Sequence, residues 1–186
     1  MRTLFLDMET TGKAFFKLPS YHPSQPRMVS LGAILADENS REIAILDLII
    51  KPDGFEIPEG ASAIHGITTE HAEKVGVPIK VALSLLGDMA ILADQFAAHN
   101  IQFDRLITER ESGYVFLDGK KPLVCTMEAM TPICNLPGPY GPKWPKLEEA
   151  YFHCFNRKLE GAHGALADCR ACKEIYGWLT ERNHRE

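Results

Sequence analysis

Three short apolar runs open the chain and read as strands: residues 2–8 (RTLFLDM), 28–36 (MVSLGAILA) and 42–50 (EIAILDLII). Glu38, Asn39 and Ser40 supply a turn between the second and third. The three therefore predict an antiparallel meander. Gly12, Pro19, Pro23 and Pro26 keep residues 13–27 out of regular structure. Residues 52–60 read as irregular, after which Thr68 or Thr69 can cap a short helix reaching about Lys74.

The pattern then changes period. Val81, Leu85, Met89 and Leu92 recur at helical spacing behind Pro78, which suits a first helical position. Gln95–Ala98 is a short apolar strand, followed at once by a helix whose inward residues are Ile101, Leu106 and Ile107. One more strand is expected over 122–126, and helices over 146–155 and about 163–182. The intervening residues 135–145 (NLPGPYGPKWP) contain four prolines and two glycines, which excludes helix and strand there. Early strands, then alternating helices and strands, then terminal helices predict an α/β fold with a mixed sheet flanked by helices. A chain of 186 residues suits a single domain over 1–186.

Composition narrows the class. The chain is 45% hydrophobic and 24% charged with mean hydropathy −0.13, as in ordinary soluble domains. Its apolar runs fall far short of the ~20 residues that span a bilayer. MRTLFLDMETTG has no extended signal core, so a cytoplasmic protein with no membrane association is expected. A net charge of −5 argues against a broad basic nucleic-acid surface, though not against an enzyme gripping one strand end through bound cations. The five cysteines show no disulfide spacing, and Cys169-x-x-Cys172 lies in a helical segment without a second pair, as expected of buried reduced thiols.

Candidate chemistry sits in three separated motifs. Asp7 and Glu9 (FLDMETTG) end the first strand, where residues i and i+2 project to one side while Met8 turns into the core. Their hard oxygen ligands suit Mg²⁺ or Mn²⁺. Asp104 (HNIQFD) lies one turn beyond Asn100, which either caps that helix or orients the acid. His163 and Asp168 (HGALAD) open the last helix, and the histidine can take a proton from water near neutral pH. Four crowded carboxylates repel one another unless cations neutralise them, and two ions ~3.5–4 Å apart can clamp the oxygens of an in-line displacement.

In these three motifs the sequence resembles the DEDDh 3′→5′ exonucleases, the superfamily of the bacterial proofreading subunit, RNase T and oligoribonuclease. The resemblance spans about residues 3–180, and histidine in H-x-A-x-x-D sets the DEDDh branch. It implies an RNase H-like fold with a five-stranded sheet and two divalent ions, Mg²⁺ or Mn²⁺. Asp7, Glu9 and Asp168 would hold the first ion, and Asp7 with Asp104 would serve the second. His163 would be the general base. Thr10, Thr11 and Gly12 would approach the terminal nucleotide, with Met8 and Asn100 also expected among the substrate-binding residues; Ile64, His65 and Gly66 of AIHGIT would line its pocket. Phe103 would touch the penultimate base or belong to the core.

The expected partner is therefore a single-stranded DNA 3′ end, releasing nucleoside 5′-monophosphates. An RNA 3′ end is the alternative, and a DNA polymerase a possible protein partner. Two segments depart from the family pattern. Residues 13–27, with Phe15, Phe16, Lys17, Tyr21, His22 and Arg27, are either a flap over the strand end or a variable loop. Tyr140, Lys143 and Trp144 in the Pro-rich stretch either stack on a single strand or pack on the next helix.

Overall fold

The computed structural model describes residues 1–113 and 120–183. Five strands form one mixed sheet: β1 (Thr3–Thr10), β2 (Met28–Ala36), β3 (Glu42–Ile49), β4 (Gln95–Ala98) and β5 (Leu123–Cys125), in the order β3-β2-β1-β4-β5. The meander β1-β2-β3 is antiparallel, as the short connections predict. β4 runs parallel to β1, and β5 parallel to β4. Among the described residues there are seven helices: α1 (Glu59–His65), α2 (Thr69–Val75), α3 (Ile79–Leu92), α4 (Ile101–Ser112), α5 (Thr126–Cys134), α6 (Leu147–Phe155) and α7 (Ala165–Asn183).

Alternation along β1 divides the molecule into two layers. Leu4, Leu6 and Met8 join Leu31, Ala33 and Leu35 of β2 under α3 and α4. Phe5 turns the other way, joining Ile34, Ala97, Cys169 and Cys172 under α7. Asp7 and Glu9 share the parity of Phe5 and so face the α7 layer. That layer closes tightly at one point. A Cβ built on Gly32, the register partner of Asp7, would stand 2.4 Å from the backbone carbonyl of Ala165. Only a residue without a side chain lets the start of α7 lie this close to the sheet.

Several elements differ from the sequence expectation. α3 buries Ala82, Leu86, Met89 and Ala90, whereas Val81, Leu85 and Leu92 of the periodic stripe are exposed. The helix is apolar around most of its girth, so its period alone does not select a face. Pro78 is its N-cap rather than its first turn. α1 is an unforeseen helix, with Pro58 at its N-cap and no side-chain cap to announce it. α5 is also unforeseen, because Pro132 lies inside it. Buried Thr126, Met127 and Met130 hold that helix to its neighbours despite the proline. Thr68 caps α2 as expected, its side chain accepting from the amide of His71.

Candidate active site

The carboxyl end of β1 brings Asp7 and Glu9 onto the α7 face, and two helices bring the remaining acids. Asn100 takes the N-cap position of α4 with φ 82° and no side-chain cap bond, so it turns the chain through its backbone. One turn later Asp104 is 2% exposed. Thr108 fastens that turn by donating to the Asp104 carbonyl at 2.6 Å. Asp168 lies in the first turn of α7, where the helix N-terminus favours negative charge. Its Oδ2 accepts from the backbone amide of His163 at 3.2 Å.

The acids converge, with consequences for their protonation. Burial, then Asp104, Asp168 and Glu9, push Asp7 well above the usual carboxylate range. Asp104 is raised by burial and by Glu9. Glu9 is pushed up to about 7 by burial and by Asp168. Asp168 rises to about 6, chiefly through burial, although the His163 amide pulls against the shift. Ligand atoms of Glu9, His163 and Asp168 lie within 4.8 Å of one another. Asp104 Oδ1 and Asp168 Oδ1 are buried without a hydrogen-bond partner. Unpaired buried oxygens among mutually repelling carboxylates are the arrangement that a hard divalent cation satisfies.

His163 stands at the rim, 51% exposed at its side chain, with its Nε2 3.4 Å from Glu148 Oε1. Its φ of 68° belongs to the left-handed region, so the turn before α7 holds it in an unusual conformation for a non-glycine residue. A cleft of about 260 Å³ opens beside Asp7, Asp168 and His163, lined also by His99, Lys146 and Glu148. His99 is paired on both ring nitrogens, to Thr126 Oγ1 and to the Pro145 carbonyl, each at 3.0 Å. Burial lowers its pKa, which keeps it neutral. It stitches the end of β4 to the Pro-rich segment that leads into Lys146 at the cleft wall.

The chain matches the model of the exonuclease family (RNase_T) over residues 4–176. The chain belongs to the exonuclease family. Solved structures of similar fold include E. coli exonuclease I in complex with a dT13 oligonucleotide, 22% identical at a TM-score of 0.78, where the match covers 99% of this chain and 42% of that one. The zinc-bound form of the E. coli ExoI–ssDNA complex is 21% identical at TM-score 0.78, covering 99% and 41%. The ExoI/SSB-Ct complex is 20% identical at 0.76, covering 99% and 42%. At this identity the likeness shows the fold, RNase H-like as the motifs implied. This chain spans about two fifths of the length of the exonuclease I chain. A comparison with curated proteins gives no match.

Within this exonuclease-family domain the other expected site residues divide. Thr10 is buried, its hydroxyl donating to the Gly12 carbonyl at 2.7 Å, while Thr11 is half-buried and Gly12 exposed. His65 is half-buried at the end of α1. Its Nδ1 accepts from the Ile67 amide, so Nε2 carries the proton and faces the Thr10 carbonyl without reaching hydrogen-bond geometry. Burial and nearby His163 lower its pKa. Ile64 is exposed. Met8 turns its side chain into the core, against Thr108, which leaves only its backbone toward the acids. Phe103 packs partly against the core.

Sequence reading missed Gly32, His99 as a structural link, and Glu148. Only the placement of Glu148 two residues into an acidic helix start carried any signal for them.

Proposed function

We infer that this protein is a metal-dependent 3′→5′ exonuclease that releases nucleoside 5′-monophosphates from single-stranded ends, DNA first. The observation that carries the reading is the convergence of Asp7, Glu9, Asp104 and Asp168 with two unpartnered buried oxygens, beside a half-exposed histidine. Asp7, Glu9 and Asp168 are the residues to hold one divalent ion, Mg²⁺ or Mn²⁺, and Asp7 with Asp104 the second. When bound, such ions stabilise charge on the scissile phosphate and lower the pKa of a nearby water.

The chain's own residues do the rest. His163 accepts the proton of the attacking water, and its exposed ring passes it to solvent or to Glu148. Thr11, Gly12 and the Met8 backbone border the place of the terminal nucleotide, and His65 offers a fixed N–H donor beside Thr10. His99 and Lys146 wall the cleft, where Lys146 provides a cation toward phosphate. The dT13 and ssDNA complexes of E. coli exonuclease I support DNA as the first substrate. An RNA 3′ end is the second reading, because no contact described above depends on a 2′-hydroxyl.

The test is a 5′-labelled cleavage ladder on matched single-stranded DNA and RNA with Mg²⁺, Mn²⁺ or EDTA, beside Asp7→Ala. A metal-dependent ladder shortening from the 3′ end is expected, absent in the variant, and faster on DNA. Shortening from the 5′ end, or an equal ladder in Asp7→Ala, would sink the assignment.

A further inference from the structure

The loop between the first motif and β2 is a built object. Gln25, 2% exposed, organises it from inside. Its Oε1 accepts from the Phe15 amide at 3.0 Å, and its Nε2 donates to the Phe15 carbonyl at 2.9 Å and the Leu18 carbonyl at 3.2 Å. The loop is tied shut at its base, where Thr11 N donates to the Arg27 carbonyl and Arg27 N to Thr11 Oγ1. Arg27 then anchors it to α4 through two bonds to the carboxylate of Glu111, at 2.8 and 3.1 Å.

What this frame holds outward is unusual for a surface loop. Phe15, Phe16 and Tyr21 are 52%, 58% and 79% exposed. A groove of about 330 Å³ runs between the loop and α4, lined by Phe16, Leu18, Tyr21, Gln102, Arg105 and Leu106, with one acid, Glu109, on its α4 side. No acidic residue occurs from Thr10 to Ala36, although the chain as a whole has net charge −5. The same segment carries Lys13, Lys17 and Arg27, and both lysines are exposed. Exposed rings, local positive charge and a rigid support are the elements of a platform for single-stranded nucleic acid. The groove and the candidate site are built on the same elements: the loop springs from Gly12, and α4 carries Asp104 one residue before Arg105.

We propose that residues 13–27 and the outer face of α4 bind the single strand behind the 3′ end, with Phe16 and Tyr21 stacking on bases and Lys17 and Arg105 meeting phosphates. The proposal rests on the nuclease reading for its polarity, since the groove lies upstream of the residue being removed. It assigns the loop a role in substrate length: strands of several nucleotides reach the platform, and a dinucleotide does not.

The experiment compares dT12, rU12 and the dinucleotide pdTpdT as substrates for wild type and Phe16→Ala/Tyr21→Ala. The double variant should raise KM for dT12 by on the order of tenfold or more, since a base–aromatic stack is worth ~1–3 kcal/mol. Its kcat, thermal midpoint and KM for pdTpdT should stay at wild-type values. Loss on dT12, with or without the same loss on rU12, supports the platform; the two arms show whether it distinguishes the sugar. Arg105→Ala should weaken dT12 and flatten its log–log salt dependence by about 0.7. Lys17→Glu, a change at an exposed position, repeats the test without altering packing.

Unchanged KM for dT12 in these variants, or an equal loss on pdTpdT, overturns the proposal and leaves the groove to a protein partner. If wild type cleaves none of the substrates, the nuclease reading falls by itself. Anisotropy of fluorescein-labelled dT12 in the same Mg²⁺ buffer then decides the platform, with equal binding by wild type and double variant counting against it.

Discussion

The two halves of the acid cluster are built differently. Asp7 and Asp104 form an inner pair, set by the middle of a sheet and a buried helix turn, and raised in pKa first by burial. Glu9 and Asp168 form an outer pair beside His163, raised only to about 7 and about 6. Burial encloses the inner pair fully, whereas the outer pair stands at the rim beside the half-exposed His163. A site that holds cations and exchanges substrate, as proposed above, would gain from both: one half enclosed by the fold and one half open to solvent and ligand.

The sharpest way to break this contrast is to neutralise the inner pair in place. Asp104→Asn keeps the shape of the side chain and removes the charge. Cleavage should fall by on the order of 10³-fold or more, because several kcal/mol of metal-dependent stabilisation is lost. The thermal midpoint in EDTA should rise, because a buried repulsion is relieved. A near-normal rate would remove Asp104 from the metal site. At the outer edge, His163→Ala should lower kcat by about 10²-fold, the usual worth of a general base. Calorimetric Mn²⁺ binding should be kept in that variant; loss of metal binding along with rate would make His163 a ligand instead.

Gly32 joins the halves, lying beside Asp7 in register and under Ala165 in space. Gly32→Ala forces the start of α7 outward and should cost about 1–3 kcal/mol in denaturant melts. It should reduce kcat more than Gly177→Ala, a position where an added Cβ meets nothing within 4 Å. Equal effects of the two changes would deny Gly32 its spacing role.

The smallest effect is on pH. Below their ordinary carboxylate values Glu9 and Asp168 hold protons in both folded and unfolded chains, so they add no pH dependence. Between those values and about 7 the folded chain keeps protons that the unfolded chain has lost, so stability falls as pH rises. The thermal midpoint in EDTA should therefore drop from pH 5 to pH 8. Mn²⁺ should flatten the slope and release protons on binding. A metal-free midpoint that climbs across this range would contradict the raised values.

Much of the site was legible because its spacing is a direct product of backbone geometry. Asp7 and Glu9 two apart on a strand must share a face, and Met8 between them must face the other way, as it does. The meander followed from run lengths and turns, and the five-stranded sheet from the family resemblance. What stayed hidden depended on partners distant in sequence. Gly32 reads as an ordinary strand glycine until Ala165 is laid on it. Gln25 reads as a loop glutamine until its amide is found inside the loop. The α3 stripe misled because Val81 and Leu85 are as apolar as Leu86, and only packing on the sheet chose between them. α5 was masked by Pro132, whose local preference its buried methionines override.

The order in which the ligands occur along the chain has a consequence for synthesis. Asp7 is made before Asp168 and lies near the centre of the sheet, whereas Asp168 rides on the last described helix. At ~5–20 residues per second, the ribosome separates the two by roughly ten seconds or more. Throughout that interval the growing chain carries its first two acids without the helix that completes their cage. On the proposed reading the fold acts as a timer on its own reactivity: the acid cluster is incomplete until α7 has emerged and settled over Gly32. A chain halted before Gly164 should be unable to shorten any strand, even with β1 to β5 already made.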